Sequence, residues 1–562
     1  MRTALEKEAC LVYGASGVEV AKDLLRLADA FRAEHPHPAI PPSRRMSESD
    51  AFLITYADTL QRAGEAPLQT LAAWLEGPLE NTVSTVHLLP FYPWSSDDGF
   101  AVKDYREVDP NYGTWRDVET VGKHHRLMFD AVINHASARG SWFQAYLRGE
   151  EPQRRWFRSE TATVDTSTVV RPRTSPLLTK FDTADGERWL WTTFGPDQVD
   201  LDYRDPSLLL EVARVLLAYA SHGADVLRMD AVTYLWKELG TPCVHHPNTH
   251  AVLRLLRAFL ETAAPWMVIL TETNVPHAEN LSYFGSGRDE AQMVYNFALP
   301  PLMLHTMTTG RTRVLQDWAA SLATPSDETW FLNFLASHDG IGVRPVEGLL
   351  TSSDVEAMVA RTEALGGRVG MKREADGRET PYELSINYLD ALQTPGTIAS
   401  TDVEVARFAA AHAVMMALPG VPALYVHSLL GSRGAPDLVQ ATGIARRINR
   451  AKLNANDVAR ELADPTSLRA GVLRSLRHLL RVRRSHPAFH PSAASQVLDT
   501  QDGVFAVQRG DDAPLYAVHE LAGQSRDVTL PRGGTDLLTG ERVSEGTLHL
   551  EPYAVRWIDT GA

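Results

Sequence analysis

Apolar residues recur along this chain in two different rhythms. Between residues 18 and 34, Ala21, Leu24, Leu25, Leu27, Ala28 and Phe31 fall at helical spacing with charges between them, which predicts an amphipathic helix. A proline-rich stretch from His35 to Ser43 ends it. From Ala51 onward, short apolar runs lie at 52–56, 85–89, 127–133, 225–229, 267–271, 293–297, 330–335 and 421–426, each bounded by turn residues or followed by helical periodicity. Their length and β-branched content read as buried strands. Several are joined through amphipathic helices such as 208–220 and 249–262, so the expected fold is of the α/β class, a (β/α)8 TIM barrel.

Two intervals, 137–204 and 340–401, are too long for simple strand-to-helix connections. They are expected to be inserted substructures leaving the C-terminal ends of strands, the face on which barrel sites are built. Helical periodicity resumes at 467–485, and 496–560 then alternates polar and apolar residues between glycine-rich turns, which predicts a small antiparallel β-domain. The expected organisation is a helical extension at 1–50, a barrel at 51–136, 205–339 and 402–490, insertions at 137–204 and 340–401, and a C-terminal β-domain at 491–562. The short match Gly14-Ala-Ser-Gly17 ahead of the first helix resembles a dinucleotide-binding turn. The run before it is only about three residues long and no third glycine follows at the required spacing, so it reads as a helix-start turn.

Composition narrows the class. The 562 residues, 44% hydrophobic and 22% charged, are those of an ordinary globular protein, and a net charge of −15 disfavours nucleic acid and anionic membranes as partners. Two cysteines, Cys10 and Cys243, support neither a disulfide framework nor a zinc site. The first ten residues carry charge of both signs without a signal-peptide core, and no apolar run reaches the roughly eighteen residues a membrane helix needs. A cytoplasmic setting is expected.

Four polar clusters sit at the ends of four predicted strands. Asp130, Asn134 and His135 close the third run, Arg228 and Asp230 the fourth, Glu272 and Asn274 the fifth; His338 and Asp339 lie just past the seventh. Arg228 and Asp230 are two apart, so on a strand they share one face. Retaining glycosyl transfer needs a carboxylate nucleophile and a second carboxyl group alternating as acid and base, roughly 5–5.5 Å apart, a separation that neighbouring strands supply. An arginine beside Asp230 keeps it ionised, while partial desolvation gives Glu272 a raised pKa suited to proton donation. Taken singly, each aspartate reads as a turn former or helix cap and each histidine as a structural one. Conjunction and order argue otherwise, and the spacings match no zinc pattern.

These clusters resemble the four signature regions of glycoside hydrolase family 13, over roughly residues 53–450. The stretch from Val86 to Phe100, the segment Lys237-Glu-Leu-Gly-Thr-Pro-Cys243 and the segment Ser337-His-Asp-Gly-Ile-Gly-Val343 are similar to sucrose phosphorylases and their relatives. The resemblance implies Asp230 as nucleophile, Glu272 as acid/base and Asp339 as transition-state stabiliser. It further implies Arg228, His135 and His338 around the glucosyl unit, Asp97 and Arg446 at its far edge, and Phe100, with Phe194 behind it, packed beside it. It implies no organic cofactor and no required metal.

Three departures bear on the substrate: the helical extension, Asn274 where sucrose phosphorylases usually carry His, and basic segments at 171–176 and 366–373. They resemble the glucosylglycerate phosphorylase branch, whose acceptor carries a carboxylate. Arginine forks bind carboxylate and phosphate bidentately, so Arg173, Lys372 and Arg373, with Asn274, are candidates for the phosphate and acceptor side. Solvated loop charges are the bland alternative. The expected partners are a small glucoside and inorganic phosphate. Phosphorolysis of 2-O-α-glucosylglycerate is the leading expectation, followed by sucrose, sucrose 6′-phosphate and glucosylglycerol as donors. Hydrolysis of a small α-glucoside is the second, and a non-catalytic barrel the third.

Overall fold

The computed structural model describes residues 2–37, 40–41, 45–373 and 378–561, so part of the proline-rich stretch lies outside the described residues. Eight parallel strands close into a barrel: β1 (Phe52–Thr55), β2 (Thr85–Leu88), β3 (Arg126–Ala131), β4 (Ala224–Met229), β5 (Val268–Thr271), β6 (Met293–Tyr295), β7 (Trp330–Phe334) and β8 (Val421–Tyr425). Each pairs with its sequence neighbours, and β8 returns to β1 with Phe52 opposite Ala423. Almost every residue of these strands is buried, as expected where helices cover the outside and side chains fill the inside. That is why the strands read as near-continuous apolar runs, interrupted at His87, Asp130, Arg228 and Asn333.

Helices between strands start at local signals. Asp205 caps α3 (Pro206–Ser221) by accepting from the Ser207 N–H, and His246 caps α4 (Pro247–Ala263) through the Asn248 N–H, each with proline at the first helical position. The last barrel helix, α5 (Leu468–Arg484), ends with buried Arg483 donating to the carbonyls of Asp50 and Gly420, just ahead of β1 and β8. That end of α5 therefore lies at the N-terminal end of the barrel, opposite the strand ends that carry the polar clusters.

The N-terminal region holds more than the expected helix. Two helices, α1 (Arg2–Tyr13) and α2 (Gly17–Glu34), form an antiparallel pair against α4 and bury Leu5, Ala9, Val20, Leu24 and Ala28. The segment between them is Gly14 (φ +59°) in a 3-10 turn, and a Cβ at Gly17 would stand 2.5 Å from the Ala9 backbone. The two glycines thus make a hairpin between helices, one for its φ and one for close approach.

Both long intervals leave the C-terminal ends of strands. In the first, Leu178–Thr183 and Gly186–Trp191 form a hairpin, and His135–Ser137 pairs antiparallel with Gln198–Asp200. The second carries helix Ser352–Ala364 and a hairpin of Arg368–Arg373 with Glu379–Ser385, the latter pairing also with Ile341–Gly342. Beyond α5, strands from Ser495–Leu498 to Val555–Asp559 form a six-stranded sheet, with a further two-stranded one, almost wholly antiparallel. No helix among the described residues is long and apolar enough to cross a membrane.

Candidate active site

Arg228, on β4, is the hub of the cleft. Its Nη1 donates to Asp230 (2.8 Å) and to Asp130 on β3, while Nη2 stands 3.9 Å from Glu272, just past β5. Asp130 is held in turn by His87 of β2, Nε2 to Oδ2 2.6 Å. Four successive strands and the residues just past them thus contribute one buried chain of hydrogen bonds and ion pairs.

Glu272 Oε2 accepts from the Ala231 N–H at 3.0 Å, so the backbone directly after Asp230 fixes the second carboxyl group. Burial raises both acids, Asp230 to about 6 and Glu272 to about 7, with the Arg228 guanidinium opposing it. Arg228 lies closer to Asp230, so the ion pair favours the charged form there, and the proton is held at Glu272.

Asp339 lies in a third environment. Burial pushes its pKa up, but the guanidinium groups of Arg446, Arg450 and Arg228 more than reverse this and hold it well below the usual carboxylate range. Arg446 Nη1 reaches Asp339 at 2.7 Å, Arg450 Nη2 at 3.3 Å, and Asn449 Nδ2 donates to the Asp339 carbonyl at 3.0 Å. One carboxyl group is thus poised to carry a proton, and another is locked as an anion.

Around these acids, Phe100 stacks on His338 (centroids 5.0 Å, 8° between planes) and lies 5.6 Å from the Arg228 guanidinium. The His135 ring nitrogen Nε2 bonds the Phe100 carbonyl at 2.9 Å, and Phe194 packs 5.3 Å from the His135 ring. Burial lowers both histidines, His338 to about 3, so each is neutral near pH 7. Asp97 lines the same cleft from a turn in which Asp97, Asp98 and Gly99 all have positive φ, at 53°, 48° and 115°. Arg447 and Arg450 each bond Asp98 at 2.8 Å, which holds that turn.

The free space in the cleft is about 80 Å3, room for roughly five to eight waters at 10–15 Å3 each. That is space on the scale of a single sugar ring. His338 Nδ1 and Asn274 Oδ1 are buried without a hydrogen-bond partner among the described residues, which leaves both open to a ligand or a water.

The residues expected for the site divide cleanly. Asp97, Phe100, His135, Arg173, Phe194, Arg228, Asp230, Glu272, Asn274, His338, Asp339 and Arg446 all line one cleft. Lys372 is not among its lining residues, and its ammonium pairs with Glu347 at 3.2 Å. The Arg373 side chain lies outside the described residues. Asp97 and Arg446, expected together at the far edge of the glucose, both line the cleft; Arg446 pairs with Asp339 and Glu383, and Arg450 stands 3.5 Å from Asp97.

Three contributors carried no signal of their own. Glu383, from the second long interval, grips Arg446 bidentately at 2.9 and 2.6 Å; Gln198 bridges His135 and Asp97; Tyr382 lines the cleft and its hydroxyl lies 3.5 Å from Asn274 Nδ2. Lys237 stood in a motif without a role. Its buried ammonium donates to Asn134 Oδ1 (2.9 Å) and to the carbonyls of Asn134 (3.2 Å) and Leu201 (3.0 Å), tying the first interval to β3.

Residues 80–345 match the α-amylase catalytic domain model. The chain is 45% identical to the glucosylglycerate phosphorylase of Allomeiothermus silvanus, over 99% of this chain and 98% of that protein, and 42% identical to that of Escherichia coli, over 92% of each. The chain belongs to the glucosylglycerate phosphorylase family. Within the α-amylase superfamily, the sucrose phosphorylase of Agrobacterium vitis is more distant, at 30% identity over 80% of this chain and 90% of that protein. Among solved structures, a sucrose 6F-phosphate phosphorylase from Thermoanaerobacter thermosaccharolyticum superposes with a TM-score of 0.73 at 24% identity, over 84% of this chain and 94% of that one, and speaks to the fold alone.

Proposed function

We propose that this protein is a retaining glycoside phosphorylase that moves the α-glucosyl group of 2-O-α-D-glucosyl-D-glycerate to inorganic phosphate. Ionised Asp230 attacks the anomeric carbon and the glycosidic C–O bond breaks, while protonated Glu272 gives its proton to the departing glycerate oxygen. A β-glucosyl ester on Asp230 results. Phosphate oxygen then attacks the same carbon from the face glycerate left, Asp230 departs as carboxylate, and α-D-glucose 1-phosphate forms. Glu272 takes up the remaining phosphate proton in this second step. Asp339, permanently anionic, faces the positive charge that develops on the ring in both transition states.

The observation that carries the mechanism is the ranking of the three acids within one cleft: Asp230 paired, Glu272 raised highest, Asp339 locked low. The donor rests on the family to which the chain belongs. Arg173 and Asn274 are proposed for the anionic partners, Arg173 because it lines the cleft with no ion-pair partner among the described residues. Lys372 is left out of that role by its pairing with Glu347. A cytoplasmic setting, with both cysteines free, completes the proposal.

The test is release of glucose 1-phosphate in the presence of phosphate from 2-O-α-glucosylglycerate, sucrose and sucrose 6′-phosphate in parallel, with Asp230→Asn as control. Preference for glucosylglycerate is expected. Preference for a sucrose donor overturns the acceptor assignment, and sustained turnover without phosphate overturns phosphorolysis in favour of hydrolysis.

A further inference from the structure

On the outer face of α5, far from the cleft, Arg474, Arg477, Arg481 and Arg484 follow one another at intervals of three, four and three residues, with His478 among them. That spacing puts all of them on one helical stripe, about 15 Å long at 1.5 Å per residue. They line a surface groove of about 910 Å3 together with apolar Leu462, Ala463, Pro465 and Leu473. No acidic residue lines it.

Like charges three and four apart on a helix oppose folding by about 0.2–0.5 kcal/mol per pair, so such a stripe is normally relieved by acids. Elsewhere on this protein it is: Arg26 pairs with Asp23, Arg32 with Asp29, Arg460 with Asp457 and Arg469 with Glu461. On the stripe, none of the four arginines lies within ion-pair distance of a carboxylate among the described residues. Arg477 donates to the carbonyls of Pro78 and Glu80 (3.2 Å each), Arg484 to that of Asn81, and Arg481 to His478 Nδ1 at 2.8 Å. These contacts orient the guanidinium groups without neutralising them. The helix C-terminus favours Arg481 and Arg484 but not Arg474 and Arg477, which lie further from it.

Concentrated positive charge in a protein of net charge −15, beside apolar side chains in the same groove, is matched by a ligand with several negative charges and an organic body. We propose that this groove is a binding site for a small metabolite bearing two or more phosphate groups. The carbonyls of 78–81 and the C-terminal domain at Leu538, which accepts from His478 Nε2 at 3.0 Å, fix its walls. Because α5 descends from the catalytic end of the barrel to the opposite one, the site is separate from the glucosyl cleft, and the proposal stands apart from the reaction assigned above.

Inorganic tripolyphosphate is the probe, titrated calorimetrically into the full-length protein at low ionic strength. One molecule per chain is expected, with affinity falling at least about tenfold in the Arg474→Ala, Arg481→Ala double variant and falling steeply with added salt. The double variant is expected to melt no lower than wild type and to keep its rate of glucosylglycerate phosphorolysis, since no residue of the groove lines the cleft. Should it fold poorly, Arg474→Glu alone serves the same comparison. Equal binding by wild type and variant places the anion elsewhere and overturns the proposal, as does absence of binding by the wild type.

Discussion

At the catalytic end of the barrel, Arg228, Arg446, Arg447 and Arg450 each lie against a carboxylate; on the outside of α5, Arg474, Arg477, Arg481 and Arg484 lie against none among the described residues. The first group is largely buried. There an unpaired charge is prohibitive, so each arginine fixes the position of an acid and each acid fixes an arginine. The second group is bathed in water, which makes the lack of partners tolerable but not neutral. The same side chain is a structural tie in one place and an unmet demand for an anion in the other.

The comparison breaks most visibly at Arg228. Arg228→Met leaves Asp130 and Asp230 buried without their counter-ion, which is expected to lower stability by roughly 3–5 kcal/mol in denaturant unfolding and to abolish phosphorolysis. A loss under about 1 kcal/mol would mean that His87 alone sustains Asp130.

Next in size is Glu383. It touches neither Asp230 nor Glu272, yet it holds Arg446, which holds Asp339. Glu383→Gln is expected to reduce kcat/KM by roughly 10- to 100-fold, because a displacement on the order of 1 Å at a reacting group costs that much. Its effect is expected mainly in kcat, with the alkaline limb of the pH profile moved down as one negative charge near the cleft is lost. An unchanged limb with a raised KM would make Glu383 a mere wall of the cleft.

A smaller effect separates a buried acid with a counter-ion at 3.9 Å from one with a counter-ion at 2.8 Å. Activity needs Asp230 ionised and Glu272 protonated, so kcat/KM is expected to rise with pH to about 6 and fall beyond about 7. In stability the sign is opposite to that of an ordinary paired carboxylate. Glu272 binds its proton more tightly folded, at about 7, than unfolded, at about 4.5, so its share of stability declines as pH rises between those values. Glu272→Gln carries no charge to bury. It is expected to be more stable than wild type by on the order of 1 kcal/mol at pH 8, with the gap closing by about pH 4. Parallel melting curves from pH 4 to 8 would refute this.

What could be read from the chain follows the same division. Strands buried on both faces leave near-continuous apolar runs, and carboxylates at their ends stand out against them, so the barrel and Asp230, Glu272 and Asp339 were legible. Helix α1 was not, since Leu5, Ala9 and Val12 make too narrow an apolar stripe, and the hairpin glycines that pair it with α2 looked like a helix start. The tie from Glu383 to Arg446 crosses 63 residues. No local pattern distinguishes such an acid from a solvated one. Basic loops misled for the same reason: Arg173 and Lys372 look alike in sequence, and only the fold brings Glu347 to one of them.

The finest test sets one exposed arginine against another. Arg460, on helix Ala455–Ala463, pairs with Asp457 one turn earlier, whereas Arg474 has Arg477 and His478 one turn further on and no carboxylate within ion-pair distance among the described residues. Arg460→Gln removes an attraction and is expected to lower stability by about 0.3 kcal/mol. Arg474→Gln removes a repulsion and is expected to raise it by about 0.2–0.5 kcal/mol. Both differences shrink in high salt, as surface interactions do beyond a Debye length of about 3 Å at 1 M. Opposite signs at low salt, converging at high salt, are the outcome that distinguishes an unmet stripe from an ordinary solvated helix. If saturating tripolyphosphate is present, the sign at Arg474 should reverse, because the arginine is then the partner of an anion and its removal costs binding energy that also stabilises the fold.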